Sequence, residues 1–424
     1  MTSKKYFSDT AWNFGAFGVQ ALAGALLNLV LMKYAGPGAL GIFNQLYAVF
    51  VVAGQLAVLG LNDSCQKHVA QFDSNKIEKS PLIAAALNCA FFAGLGGSIV
   101  LLLLSFGIAK TSMDSLSLGV RYLAPGVLFF VLNKVLLAIL NGEQRMRFYA
   151  LGQSTRAILV VAGCLAVGLS DLPKSLMGAA FTLSEFFLFL IIVPPLRSHH
   201  ARTRKSAHVW RWMRQHFHFG LRALPHGFLT EAMIRIDILM LSFFVNETQI
   251  GIYSFVAFFV EGVLQVPLVV RTVTNPIWTG VLLRRKAQEF FKVALRSILT
   301  SGLSTLAVIA IVFALFPTLI SYFPKTEPII SLRLLGILMT GLGIYSFFLP
   351  LDNMLLQGGH PALQSLYMII AAGINVILNW YLIPTLQLEG AAIATAISFA
   401  VSGPIFCLIA YFALDFKFLR HERC

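Results

Sequence analysis

Stretches of about twenty apolar residues recur along the chain, with only short polar breaks between them. Twenty helical residues rise about 30 Å, the thickness of a bilayer's hydrocarbon layer, and within that layer only helices and closed barrels satisfy their own backbone groups. Twelve stretches are read, at about 11–33, 41–61, 82–109, 119–140, 149–169, 176–195, 219–245, 250–279, 293–320, 329–353, 362–383 and 388–414. No break between them is long enough to form a soluble domain. The expected fold is an all-α membrane protein of twelve transmembrane helices. Of the 424 residues, 58% are hydrophobic and 12% are charged, about half the charge of a usual soluble domain. That excludes disorder, a nucleic-acid-binding arm and an ordinary cytosolic enzyme. Lys4 and Lys5 precede the first run, which is too long for a signal-peptide core and is followed by no small-residue cleavage site, so it is read as a retained span.

Lysine and arginine set the orientation. With the N-terminus in the cytoplasm, the inner segments hold twenty of them, from Lys4 and Lys5 through Lys67, Arg145, Arg211, Arg214 and Arg284 to Arg423. The outer segments hold only Lys33, Lys110, Lys174 and Lys325. This is a strong positive-inside bias, and an even span count leaves both termini in the cytoplasm. The formal net charge of +14 is therefore assigned to cytoplasmic loops, and no nucleic-acid partner is expected. The longest connection, about 196–218, alternates basic and aromatic residues (Trp210-Arg211-Trp212-Met213-Arg214), as in a helix at headgroup level. His199, His200, His208, His216 and His218 cluster there and are read as a solvated basic linker. Cys65, Cys89, Cys164, Cys407 and Cys424 are scattered without CxxC or Cys/His spacing, so neither a disulfide framework nor a metal site is expected.

The two halves resemble each other. Gly41-Ile42-Phe43 opens the second span and Gly251-Ile252-Tyr253 the eighth, 210 positions later. Leu176-Met177-Gly178-Ala179-Ala180 opens the sixth and Leu388-Glu389-Gly390-Ala391-Ala392 the twelfth, 212 positions later. Asn141-Gly142 closes the fourth and Gln357-Gly358 the tenth. These matches predict two six-helix bundles, residues 1–205 (with the basic linker from about 196) and 206–424. Repeats related about the membrane normal, with a central cavity between them, are a transporter signature.

Seven ionisable residues fall inside spans: Lys134, Arg156, Glu185, Glu231, Arg235, Asp237 and Glu261. Each costs about 2.5–3.5 kcal/mol at the bilayer centre, so seven facing lipid would cost on the order of 20 kcal/mol, more than a fold's whole stability. They must face a wet cavity or one another. Glu231 and Arg235, four apart, share a helix face and can pair, whereas Asp237 points elsewhere. Two readings stand side by side here: a cationic cavity for an anionic substrate, and structural ion pairs. Lys134, Arg156 and Arg235 lie deepest and are the candidate cavity cations. Arg121, Arg222, Arg271 and Arg333 lie nearer span ends, where snorkelling competes. Arg222, beside Pro225 and Gly227 that can unwind span seven, and Arg271 complete the substrate-binding candidates. The carboxylates Glu185, Glu231, Asp237 and Glu261 are candidates for coupling an ion. Asn28, Asn88, Asn133, Asn375 and Asn379 either join helices or contact sugar hydroxyls. Prolines 125, 225, 267, 350 and 404 can kink spans. No Walker A motif occurs, and no outer loop is large enough for a catalytic pair, so neither an enzyme nor a cofactor is expected.

Leu26-Leu27-Asn28-Leu29-Val30-Leu31 followed by Tyr34-Ala35-Gly36-Pro37-Gly38-Ala39-Leu40-Gly41-Ile42-Phe43 resembles the opening of the Wzx-type O-antigen flippases. These belong to the multidrug/oligosaccharidyl-lipid/polysaccharide exporter superfamily. Leu224-Pro225, Arg235-Ile236-Asp237-Ile238-Leu239-Met240-Leu241 and Gly251-Ile252-Tyr253 are similar to the family's seventh and eighth helices. Asn375-Val376-Ile377-Leu378-Asn379, Ile383-Pro384 and Gly390-Ala391-Ala392-Ile393-Ala394-Thr395 are similar to its last two. The resemblance implies a MATE-like fold. It also implies flipping of an undecaprenyl-diphosphate-linked oligosaccharide to the periplasmic leaflet of a bacterial inner membrane by alternating access, coupled to H+ or Na+. A monomer working beside a polysaccharide polymerase and a chain-length regulator is expected. The superfamily's lipid II flippases usually carry two further C-terminal helices. Its multidrug antiporters are the competing reading, and a membrane polymerase or ligase would need a larger outer loop. The major-facilitator signature between spans two and three is missing, that loop reading Asn62-Asp63-Ser64-Cys65-Gln66-Lys67-His68.

Overall fold

The computed structural model describes residues 3–71, 76–108, 114–194, 206–284, 287–323 and 325–413. Lys110, Arg197, Arg202, Arg204, Lys205, Arg285, Lys286, Lys417, Arg420 and Arg423, used above for orientation, lie outside the described residues, as do His199, His200 and Cys424. The described residues form helices joined by short turns, α1 (Ser3–Val30), α2 (Pro37–Val58), α3 (Leu61–Gln71), α4 (Lys76–Ile108), α5 (Asp114–Gly142), α6 (Met146–Gly168) and α7 (Met177–Ile192), then α8 (Ser206–Leu241), α9 (Glu247–Arg284), α10 (Ala287–Ile320), α11 (Pro328–Phe348), α12 (Met354–Gln357) and α13 (Pro361–Ala413). Among the described residues, ten helices are long and apolar enough to cross a membrane. α8 is not among them, because Glu231, Arg235 and Asp237 crowd its apolar half.

α13 holds two helices across a kink at Gln387 (φ 50, ψ −123). Its 53 residues would span about 80 Å as one rod, far more than a bilayer. The chain turns back instead: Asn375 and Thr395, which a straight helix would hold about 30 Å apart, lie 3.4 Å apart through their side chains. Gly390 is needed at this turn, since a Cβ there would collide with the carbonyl of Leu382.

The chain divides into two compact units, Met1–Arg235 and Ile236–Cys424. In the first, α5 is the centre and packs on α2, α3, α4, α6 and α7. It is buried nearly all round, as a helix that is apolar on every face must be. Small residues let α7 approach it: Gly178 sits against the backbone of Gly119, and Thr182 Oγ1 donates to the Tyr122 carbonyl at 2.7 Å beside Gly126. This is small-residue packing of the kind membrane helices use where lipid supplies no hydrophobic drive. α1, α6 and α10 instead leave large apolar side chains such as Phe14, Ile158 and Leu303 exposed, as contact with lipid requires.

At the exit of α1, a π-turn over Leu31–Ala35 ends on Gly36, whose φ of 90° favours glycine, and Pro37 then starts α2. α3 stands where the sequence reading has a loop. Leu61, Ser64, Cys65, His68 and Val69 are buried at helical spacing, while the polar residues between them hide the short pattern.

α8 runs unbroken through Pro225 and Gly227, so the unwinding expected there does not occur. Its first turns are not a wholly solvated linker. His216 is fully buried against Ser64 and Leu82, and Gly220 abuts Leu59 and Gly60. Both histidine tautomers follow from acceptor-only carbonyls. His216 Nε2 must donate to the Leu82 carbonyl (3.3 Å), so Nδ1 accepts from Ser64 Oγ (2.9 Å). His68 Nδ1 donates to the Ser64 carbonyl (2.7 Å), so Nε2 accepts from Gln215 (3.2 Å). Burial pushes the His216 imidazole down to about 4, with His68 adding to the depression and the Leu82 carbonyl opposing it.

In the second unit, α9 packs on α10 and α11, and α11 on α13. Trp278 is fully buried with Leu355, Tyr367 and Phe406, and its Nε1 donates to the Pro350 carbonyl at 3.0 Å. That carbonyl is available because α11 gives way to a short tight turn at Leu349–Leu351, where Pro350 breaks the helical pattern.

Candidate functional site

Three expected site residues of the first unit meet on a run of aromatic rings. Arg156 and Lys134 lie 5.1 and 5.6 Å from the Phe130 ring centre. Phe130 packs edge-on against Phe50, Phe50 on Phe181, and Phe181 on Tyr47. Arg235 lies over Tyr47 at 4.7 Å. Cations over aromatic faces gain about 0.5–2 kcal/mol each, which holds long side chains in place without neutralising them. Lys134 is half-buried and lies within electrostatic range of Arg156, Glu231, Asp63 and Glu185.

Arg156 and Glu185 form an ion pair, Nε to Oε1 at 2.8 Å and Nη2 to Oε2 at 3.1 Å. Asn133 Nδ2 donates to Glu185 Oε2 at 2.7 Å and to the Glu185 carbonyl at 2.8 Å. Glu185 is fully buried and Arg156 is 16% exposed. An expected substrate cation and an expected coupling carboxylate are thus partners, on α6 and α7. The guanidinium keeps its third nitrogen, Nη1, for a further acceptor.

The second unit gathers polar groups around Asp237 of α8. Tyr253 of α9 donates its hydroxyl to Oδ2 at 2.8 Å, and Thr395 of α13 donates to the same oxygen at 2.5 Å. Asn379 Nδ2 donates to Oδ1 at 3.0 Å and also reaches Asn375 Oδ1 at 3.0 Å. Among the described residues these partners are all neutral, and Asn379 Oδ1 is buried without a hydrogen-bond partner. A carboxylate in such a setting is stabilised by hydrogen bonds alone, and its charge is matched when it takes up a proton or a small cation.

Arg271 does not simply snorkel. It pairs with Asp352 at 3.1 Å, and Tyr345 donates to the same carboxylate oxygen at 3.0 Å. Arg222 is exposed on α8, and Glu261 is half-exposed on α9 with Gln265 donating to its backbone carbonyl at 3.4 Å. Arg333, exposed, reaches Glu389 at 3.4 Å. Of the asparagines, Asn28 bonds its own helix at Gly24, whereas Asn133, Asn375 and Asn379 join the carboxylate clusters. The sequence reading overlooks Tyr47, Phe130, Tyr253, Asp352 and Thr395. Tyr253 and Thr395 stand inside the Gly251-Ile252-Tyr253 and Gly390–Thr395 strings quoted above, so a signal for them was present. Asp352 is polar beside the expected Pro350 kink, and Tyr47 and Phe130 read only as apolar filling.

No family model matches the chain. It is 25% identical over 417 residues to a probable flippase, AglR, of Haloferax volcanii, covering 92% of this chain and 80% of that protein. It is 21% identical over 349 residues to a putative O-antigen transporter of Shigella flexneri, covering 78% of this chain and 80% of that one. A multidrug resistance MATE family transporter of the MOP superfamily, solved in an inward-facing conformation, superposes with a TM-score of 0.76 at 17% identity, covering 96% of each chain. The chain therefore is a multi-pass membrane protein with a MATE-like fold, and the curated proteins it is similar to are named as a probable flippase and a putative O-antigen transporter.

Proposed function

We propose that the chain flips a lipid-linked oligosaccharide, moving an undecaprenyl-diphosphate-linked repeat unit from the cytoplasmic to the periplasmic leaflet of a bacterial inner membrane by alternating access. α8 and both halves of α13 are read as spans, which makes twelve and leaves both termini in the cytoplasm. The observation that carries this reading is the placement of Lys134, Arg156 and Arg235 on one aromatic run, Phe130–Phe50–Phe181–Tyr47. Guanidinium and ammonium donors suit a diphosphate, and aromatic faces suit sugar rings. The relatives' names, a flippase and an O-antigen transporter, point the same way.

The polyprenyl tail stays in lipid while the headgroup moves, and no covalent bond changes. Asp237 is the coupling carboxylate in this scheme. Uptake of H+ or Na+ there stabilises the arrangement in which α8, α9 and the two halves of α13 close around it, and differential affinity between two states is what drives a cycle. Glu185 serves Arg156 as its partner. Arg271, tied to Asp352, and Arg222, exposed on α8, supply outlying cations.

The test is translocation of a lipid-linked oligosaccharide in a strain lacking the gene, complemented with wild type, Lys134→Ala or Arg235→Ala at equal membrane levels. A loss of about tenfold or more in each variant is expected, the effect of removing one charge-assisted contact of about 1.5–3 kcal/mol. Full activity in both variants would refute the role of the cations. Drug sensitivity of the same strain with surface polysaccharide unchanged would point to the multidrug antiporter.

A further inference from the structure

The N-terminal sixteen residues of α8 present a face that the transport site does not use. α8 has 36 residues and rises about 54 Å, whereas about twenty residues cross the hydrocarbon layer. Ser206–Leu221 is therefore surplus to a span. One side of this stretch is fixed by His216 against Ser64 and Leu82 and by Gly220 against Gly60.

The opposite side is open. At about 100° per residue, Trp210, Phe217 and Leu221 fall within a strip about 40° wide. They are 69%, 47% and 48% exposed. Arg214, His218, Arg211 and Arg222, all exposed, occupy roughly the next 100° in that order. Lys67 of α3 lies beside them over the Phe219 ring at 4.6 Å. No acidic residue occurs between 206 and 222.

We propose that this face docks on anionic phospholipid at the cytoplasmic surface of the bilayer. The apolar strip reaches the acyl boundary, and Arg211 and Arg214 meet the headgroup phosphates. Charge complementarity selects this occupant. A purely cationic face attracts an anionic leaflet and repels a second copy of itself, and an apolar edge running directly into a membrane span lies at the depth of the acyl boundary. The inference rests on the chain being a membrane protein and not on what it transports.

The full-length protein is reconstituted in nanodiscs of phosphatidylcholine that contain the same small fraction of either brominated-chain phosphatidylglycerol or brominated-chain phosphatidylcholine. Trp210's share of the quenching is the difference between wild type and Trp210→Phe. Brominated phosphatidylglycerol is expected to quench that share several-fold more than brominated phosphatidylcholine. Arg211→Gln with Arg214→Gln lowers the preference by up to about fivefold for each arginine, as does high salt, and the paired lysine variant retains it. Equal quenching by the two lipids, or a Trp210 that neither lipid reaches because protein covers it, would overturn the proposal. The comparison of lipids on wild type stands even if the glutamine variant fails to fold. A chain that keeps the preference but moves no lipid-linked sugar sinks the transport reading alone.

Discussion

Asp237 and Glu185 are both buried carboxylates, yet their surroundings assign them different work. Glu185 has Arg156 at 2.8 Å. Replacing it by glutamine leaves a guanidinium that is 16% exposed without a counter-charge, an event that costs about 3–5 kcal/mol. Glu185→Gln is expected to lower the melting temperature of the purified protein clearly, and Arg156→Met added to it to restore much of the loss. A single variant as stable as wild type would show that the pair is not an anchor. Asp237 has hydroxyl and amide donors instead, from Tyr253, Thr395 and Asn379. Asp237→Asn keeps the shape and removes the charge. It is expected to fold and insert normally while translocation loses its dependence on pH or Na+, measured in proteoliposomes with imposed gradients. His216 belongs to the same scale. Its buried imidazole is held near 4, below the ordinary 6.5 of an unfolded chain. Between about pH 6.5 and 4 the unfolded chain takes up a proton that the folded one refuses, so stability falls as the pH drops through that window and levels off below it. The loss attributable to this residue is on the order of 3 kcal/mol, and His216→Gln should flatten that part of a melting-temperature profile.

At the scale of elements, helix contact here depends on absent side chains. Gly178 on α7 meets the Gly119 backbone of α5 so closely that any Cβ must push the helices apart. Gly178→Ala is expected to cost at least ~2 kcal/mol, at the upper end of overpacking effects, whereas Gly96→Ala on α4, where a Cβ meets open space, gains a few tenths from reduced chain entropy. Thermal unfolding of the two variants in one detergent separates these outcomes. Most of the long apolar helices are legible because about twenty apolar residues permit little else in lipid. α3 is not, since eleven mostly polar residues become a helix only when α4 and α5 cover Leu61, Cys65 and Val69. The reversal inside α13 is legible in part, because Ile383-Pro384 and Gly390 bracket Gln387, which itself carries no turn signal.

For the whole molecule, orientation is the property that charge bias predicts. A cysteine at Gln144, in a turn after α5, should be labelled by an impermeant maleimide only from the cytoplasm, and one at Asp171, exposed after α6, only from outside. The opposite pattern would invert the entire assignment. The candidate site was legible by residue type, since charges in apolar spans stand out at several kcal/mol apiece. Its partnerships were not. Asp237 reaches Tyr253, Asn379 and Thr395 from 16, 142 and 158 positions away, and Arg271 reaches Asp352 from 81. From the amino-acid order alone came the lipid environment, the approximate spans and the short list of residues too polar to face hydrocarbon, because each follows from the transfer energy of a segment considered by itself. Which charge is neutralised by a partner and which is left among neutral donors was decided only when helices far apart in sequence packed together. Pairing at 3 Å is a property of space, and the order of residues sets it only through the fold.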